Sequence, residues 1–340
     1  MNLLKSIAVI LIVIGLPACQ SRPLPVPSFY YWRSTFRLSN TEKQELKSLK
    51  TKRIYLKYFD VKWDEAKQKV VPAAKLIFED SLAHSVEIVP VVFITNESLQ
   101  KTKLSDIKPL SQHIANLIDQ INKNNKYPLI EIQIDCDWSD STRDKYFLLL
   151  KTLKDSYLQT KLTCTIRLHQ VKYANKTGVP PVDGGVLMFY NMGKLGDRSQ
   201  NSIYDYETAQ RYVRSVRDYT LPLDLALPLF SWAIHYHNQK IKHLISKPNL
   251  AVYNDTITFE KIGQNTYKIK KGQYIGGYYL RENDEIKVDI ISPELCQQAA
   301  KQVAKHLKRP PEHLIFYDLD QHNLSRFDHE QINQICAYFR

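Results

Sequence analysis

The chain predicts an α/β fold, a (β/α)8 TIM barrel carrying a small antiparallel β insertion after its seventh strand. Three observations predict it. Eight strand-like segments recur along 340 residues, amphipathic helical stretches separate most of them, and short alternating segments interrupt the pattern once, between residues 251 and 291. Right-handed crossovers between successive parallel strands then close the sheet. A hydrophobic share of 44% and a charged share of 24% exclude a disordered, collagen-like or polytopic membrane protein. With 10 glycines and neither a GxGxxG nor a Walker sequence, a fold built on phosphate-cradling loops is excluded, and no cofactor is expected.

The first element is a leader over residues 1–18: one cation, Lys5, an apolar run over residues 7–15, then Leu16, Pro17 and Ala18 before Cys19. The run is too short for a lasting span, which needs about 20 residues. Leu16 and Ala18 ahead of Cys19 resemble the bacterial lipoprotein box. The resemblance implies cleavage before Cys19, diacylation of its thiol and stable anchoring, since several acyl chains hold where one does not. A soluble secreted protein with a chance cysteine is the plain alternative. Residues 19–28, with Pro23, Pro25 and Pro27, read as lipidated Cys and extended tether. The expected location is the bacterial cell envelope, anchored by lipid to the outer membrane, with periplasmic and surface faces both open.

Loss of residues 1–18 removes Lys5 and no acid, so the net charge of +12 becomes about +11. A basic surface suits anionic glycans or a lipid surface, and behind a cleaved leader no nucleic-acid partner is expected. Cys136, Cys164, Cys296 and Cys336 sit in apolar stretches without zinc spacing, and read mostly as buried thiols.

The strands follow at residues 29–36, 54–60, 87–94, 130–137, 161–169, 185–191, 225–232 and 313–318. Helical stretches cover 41–50, with a capping pattern at Asn40 or Thr41 and Glu42, then 105–124, 141–157, 204–218, 293–308 and 328–339. The barrel therefore spans 29–340. Within 251–291, alternation at 257–262, 266–269, 274–280 and 286–291 reads as hairpins over one side of the mouth, a separate β domain being the competing parse.

Strand parity locates a site. On the fourth strand Ile130, Ile132, Ile134 and Cys136 face the helices, while Glu131, Gln133, Asp135 and Asp137 line the interior. On the fifth, Thr163, Thr165, Arg167 and His169 point inward. Interior carboxylates need partners or a wet rim, so the two readings are a buried ion network and a functional centre. Active sites of this fold lie at the C-terminal strand ends. The rim residues are Asp60, Asp135, Asp137, Trp138, Arg167, His169, Tyr190, Asn191, Trp232, His235, Tyr236, Tyr317 and Asp318. Acids among large rings suit a sugar, whose apolar faces stack on aromatics while its hydroxyls bind carboxylates.

Ile134, Asp135, Cys136 and Asp137 on the fourth strand, with Met188, Phe189, Tyr190, Asn191 and Gly193 on the sixth, resemble the chitinase-type glycoside hydrolases of family 18. Their fourth strand carries D-x-x-D-x-D-x-E and their sixth M-x-Y-D or M-x-Y-N. The resemblance extends to bacterial lipoproteins of the same barrel clan. It implies a glycan partner, with Asp137 orienting a substrate acetamido group and Tyr190 stabilising an oxazolinium intermediate. The pattern departs at the general-acid Glu, where Ser139 stands, and at the first Asp, where Ile132 stands. A serine hydroxyl cannot protonate a leaving glycosidic oxygen at a useful rate. Asp140, or Asp137 paired with Asp135 at a raised pKa, could supply the proton. Otherwise the barrel keeps binding and has lost hydrolysis.

Asp135, Asp137 and Tyr190 are thus the expected catalytic set. Asn191, Arg167, His169, Trp138, Trp232, Tyr317, Asp318 and Asp60 are expected to bind substrate, with Trp232 as the stacking platform. His235 and His237 with Asp318 or His169 are a weak zinc pattern in a stretch expected to be solvated, so no metal is expected. A structural or assembly lipoprotein is the rival reading of the whole.

Overall fold

A computed structural model describes residues 24–82, 85–125 and 127–340. The leader and Cys19 lie outside the described residues.

Eight strands form a closed parallel barrel: β1 Pro27–Tyr31, β2 Arg53–Asp64, β3 Glu87–Ile94, β4 Glu131–Asp135, β5 Lys161–Arg167, β6 Gly184–Met188, β7 Leu223–Pro228 and β8 Leu314–Tyr317. They pair in sequence order, and β1 closes the ring on both sides, Phe29 facing Phe316 of β8 and Ile54 of β2. The apolar face of β4, Ile132, Ile134 and Cys136, is buried as parity demands. Helix Ile107–Asn125 covers the barrel with Ile114, Ala115, Ile118 and Ile121, a spacing of three and four that puts them on one stripe. On β6 the barrel wall closes tightly, since a Cβ on Gly185 would come within 2.8 Å of Ile166. Cys136, Cys164, Cys296 and Cys336 are free and buried.

The helix Asn40–Ser48 starts one residue earlier than its pattern suggests. Ser39 is the N-cap, completing a capping box with Glu42. Glu42 is fully buried because it has further work. It pairs with Arg33 at 2.9 Å and accepts the backbone N–H of Gln321 at 3.0 Å, joining the β1 loop to the C-terminal region.

Three boundaries differ from the sequence reading. β1 begins at Pro27, inside the expected tether, and ends at Tyr31, while Thr35–Phe36 pairs with Ile77–Phe78 in a separate ribbon. β2 ends at Asp64 rather than at 60, and among the described residues no helix joins it to β3. β2 runs on past the barrel and folds back on Lys69–Ala73, an edge strand that tolerates Pro72. The antiparallel insertion starts at Ser231 rather than 251, so Trp232 belongs to it and not to the seventh barrel strand. Ser231–His237 and Lys240–Ser246 form a hairpin whose turn residues, Asn238 and Gln239, both have positive φ (49° and 61°), the geometry of a type I′ turn.

The insertion sheet runs in the order Lys240–Ser246, Ser231–His237, Glu285–Ile290, Thr266–Ile269, Phe259–Gly263. It has its own core of Ala233, Ile245, Tyr253, Phe259, Ile269, Leu280, Ile286 and Val288. Ser292 then caps the helix Pro293–Ala304 and returns the chain to the barrel.

His235 is the clearest correction. It is 3% exposed on a strand, not solvated. Asp284 takes both imidazoles, His235 at 2.7 Å and His237 at 2.6 Å. Neither histidine is directed to Asp318 or His169, and no cluster of three metal-ligating side chains occurs among the described residues.

Candidate functional site

The polar interior of β4 and β5 divides by height. At the lower end Glu131 pairs with Arg53 at 2.9 Å and accepts the Thr163 hydroxyl at 2.7 Å. One layer up, Gln133 accepts the Tyr30 hydroxyl at 2.6 Å. These groups are satisfied within the barrel, as buried polar groups must be, so the ion-network reading holds for this half.

Above them Asp135 and Arg167 open onto a cavity of about 390 Å³ at the C-terminal strand ends. Asp135 is 5% exposed at its floor and accepts the Thr165 hydroxyl at 2.6 Å. Burial raises its carboxyl to about 6. Arg167 and Thr165 oppose that rise, while Asp137 and Asp60 add to it. Asp137, half exposed at the rim, receives Arg167 through Nε at 2.5 Å and Nη2 at 3.3 Å, the forked geometry that fixes a guanidinium on a carboxylate. Arg167 is itself held by its backbone, whose N–H donates to Gln170. The guanidinium carbon lies 5.8 Å from the Tyr190 ring centre.

The opposite wall is aromatic. Tyr317 sits among Trp32 at 5.5 Å, Tyr190 at 5.6 Å and Phe230 at 5.7 Å, and Phe230 passes the contact to Trp232 at 5.2 Å. Asp318, 6% exposed, accepts Asn323 Nδ2 at 2.5 Å. Burial raises its carboxyl to about 6, with Asp320 adding to the rise and Lys247 opposing it. Asn191, at φ 55°, completes the wall beside Tyr190. The Tyr190 hydroxyl donates to the Met188 sulfur at 2.8 Å, and burial pushes it up from its ordinary value.

Asp135, Asp137, Arg167, Tyr190, Asn191, Trp232, Tyr317 and Asp318 therefore share one cavity. Three residues do not line it. Trp138 is 1% exposed, stacks on Tyr146 at 5.0 Å and donates its indole N–H to the Thr177 carbonyl at 3.0 Å, so its side chain is committed to packing. His169 is carried off by the helix Leu168–Lys172, because β5 ends at Arg167 and parity with it. It borders an adjoining hollow of about 370 Å³ that shares Asp137, Arg167, Tyr190 and Asn191. Asp60 lies between Lys57 at 3.0 Å and Lys62 at 2.9 Å.

Trp32, Phe93, Phe230, Ser246 and Lys247 line the cavity without having been foreseen. Trp32, just past β1, and Phe93, register partner of Asp135, follow from the same strand-end rule. Lys247 arrives from the insertion and pairs with Asp320 at 2.6 Å, a contact that no local pattern signals. At the position of the family's acid, Ser139 caps the short helical turn Asp140–Thr142, and Asp140 faces solvent 3.5 Å from Arg143.

No protein-family model matches the sequence, and no curated protein matches it significantly. Solved structures do resemble it. The spore cortex-lytic enzyme SleL of Bacillus megaterium aligns at a TM-score of 0.57 and 13% identity, over 94% of this chain and 76% of that one. A family 18 chitinase of Cycas revoluta, solved with (GlcNAc)4, aligns at 0.50 and 11%, over 92% and 98%. The chitinase-like agglutinin of Robinia pseudoacacia aligns at 0.50 and 10%, over 92% and 99%. The closed barrel thus has the chitinase-type fold. At these identities the likeness is one of fold.

Proposed function

We propose that the chain binds a glycan in the cavity at the barrel mouth. The observation that carries this reading is the meeting of an aromatic wall with Asp135, Asp137 and Arg167 around one open cavity. Rings take the apolar faces of a sugar, while the acid and guanidinium groups take its hydroxyl and amide groups. The fold accommodates both an agglutinin and a chitinase among its structural neighbours, so the fold does not by itself impose turnover.

Binding is favoured over hydrolysis because Ser139 replaces the acid and Asp140 is turned away to Arg143. One observation supports a second reading. Asp135, raised to about 6, is suited to hold a proton near neutral pH and would be the donor in any residual hydrolysis. Calorimetric titration with (GlcNAc)4 and a glycan array test the first reading. Binding by the wild type with at least ten-fold loss in Asp137→Asn is expected; equal binding by both removes Asp137 from the site. Release of new reducing ends, abolished in Asp135→Asn, would establish the second.

The leader supports placing this activity in the bacterial envelope, on a lipid anchor at Cys19 in the outer membrane. Labelling cells with an alkyne-tagged fatty acid should mark the wild type and not Cys19→Ala; label on both forms would end the anchor proposal.

A further inference from the structure

Trp232 contributes its ring to the cavity while its indole N–H is taken from behind. Nε1 donates to the Ser202 hydroxyl at 2.9 Å. That hydroxyl donates in turn to Asp289 Oδ2 at 2.5 Å, and the same oxygen accepts the Ser202 backbone N–H at 3.0 Å. The other Asp289 oxygen pairs with Lys287 at 2.9 Å, and Lys287 spends its remaining donors on the carbonyls of Asp197, at 3.1 Å, and Gln200. Ser202, Lys287 and Asp289 are 1, 4 and 2% exposed.

Two features make this more than incidental packing. First, Asp289 is the cross-strand register partner of Trp232 in the insertion sheet, yet it reaches Trp232 through a serine from the β6–β7 connection, so three separate stretches of chain converge on one indole nitrogen. Second, a desolvated Lys–Asp pair is a poor source of net stability compared with an apolar pair of the same volume. Its use here is to fix a direction: Asp289 accepts from Ser202, which leaves the serine lone pairs to accept from the indole.

We propose that Asp289, acting through Ser202, is a positioning residue that sets the angle of the Trp232 ring at the cavity and thereby the stacking of the bound sugar. The inference rests on the glycan-binding reading and names how the site holds its platform. Asp289 touches no ligand; its effect passes entirely through the ring.

The test is a cycle of Ser202→Ala, Asp289→Asn and Trp232→Phe, with two readouts. In (GlcNAc)4 titrations, Ser202→Ala and Asp289→Asn should each weaken binding about ten-fold, as a ring no longer held at its N–H leaves its stacking angle. Ser202→Ala should change nothing further in the Trp232→Phe background, because phenylalanine has no N–H to hold. In fluorescence, the difference spectrum between wild type and Trp232→Phe isolates this indole, and Ser202→Ala should shift its emission. An equal loss in both backgrounds, or an unmoved Trp232 emission, overturns the proposal. If the wild type binds no (GlcNAc)4, the glycan reading fails, and the fluorescence arm alone decides the positioning role.

Discussion

Burial and pairing act against one another at Asp135. The carboxyl stands at about 6 against an ordinary 3.8, so the folded chain holds this proton more tightly than the unfolded chain does. The sign follows: its contribution to stability is fully present below about pH 4 and is lost as pH rises through 6, at a cost of up to about 3 kcal/mol at neutral pH. Asp135→Asn keeps an acceptor for the Thr165 hydroxyl and removes the ionisation. The variant should therefore melt above the wild type at pH 7.5, the gap closing as pH falls to 4. Thermal denaturation across that range measures it, and a variant that melts below the wild type at pH 7.5, with the deficit shrinking toward acid, would show that Arg167 depends on this charge more than burial penalises it. Parity made Asp135, Asp137 and Arg167 legible in the sequence, since side-chain alternation on a strand is a local property. It stopped being a guide at His169, because the strand gives way to helix directly after Arg167, and Trp138, whose ring packs on Tyr146, shows that standing at a strand end does not decide where a side chain points.

At the level of the element, the hairpin Ser231–Ser246 brings Trp232 and Ser246, and the Lys247 that follows it, to the mouth, and its register is set by a two-residue turn and a bulge between His235 and Tyr236. Asn238 tolerates its left-handed backbone well, whereas Gln239 at φ 61° occupies the place where glycine is preferred. Gln239→Gly should raise stability by about 0.5–1 kcal/mol, read as an upward shift in the chemical denaturation midpoint with glycan binding unchanged. A fall in the midpoint would mean that the longer side chain packs usefully. Leu229 and Phe230, which separate the seventh barrel strand from this hairpin, are apolar and carry no turn signal, which is why residues 225–232 read as one strand in sequence. The eight barrel strands were legible because each contains a short apolar or alternating run. The β2–β3 connection was not, because its strands are held by pairing with distant partners, Asp60 with Ala73 and Thr35 with Ile77, rather than by their own composition.

Across the whole molecule the barrel separates a paired ion cluster from the mouth cavity along its axis. At the N-terminal strand ends Arg53 gathers Glu87 at 2.7 Å, Glu131 at 2.9 Å and the His313 Nε2 at 2.7 Å. Burial, reinforced by Arg53, pushes His313 down to about 4, so at neutral pH the ring is uncharged and can accept from the guanidinium rather than repel it. Every member of this cluster has a partner within the protein, and none lines the mouth cavity. The fold assigns this end to stability and the other to function. Arg53→Met is then expected to destabilise by about 3 kcal/mol, because Glu131 is left buried with only Lys161, 3.9 Å away, to balance it. Adding Glu131→Gln should recover much of that loss, since it is the stranded charge and not the missing pair that costs most. Both variants, once folded, should bind (GlcNAc)4 as the wild type does. Denaturant titration in parallel with calorimetry measures the two quantities independently, and a binding defect in the folded Arg53→Met protein would mean that the two ends of the barrel are coupled through the Gln133 and Asp135 layers rather than separate.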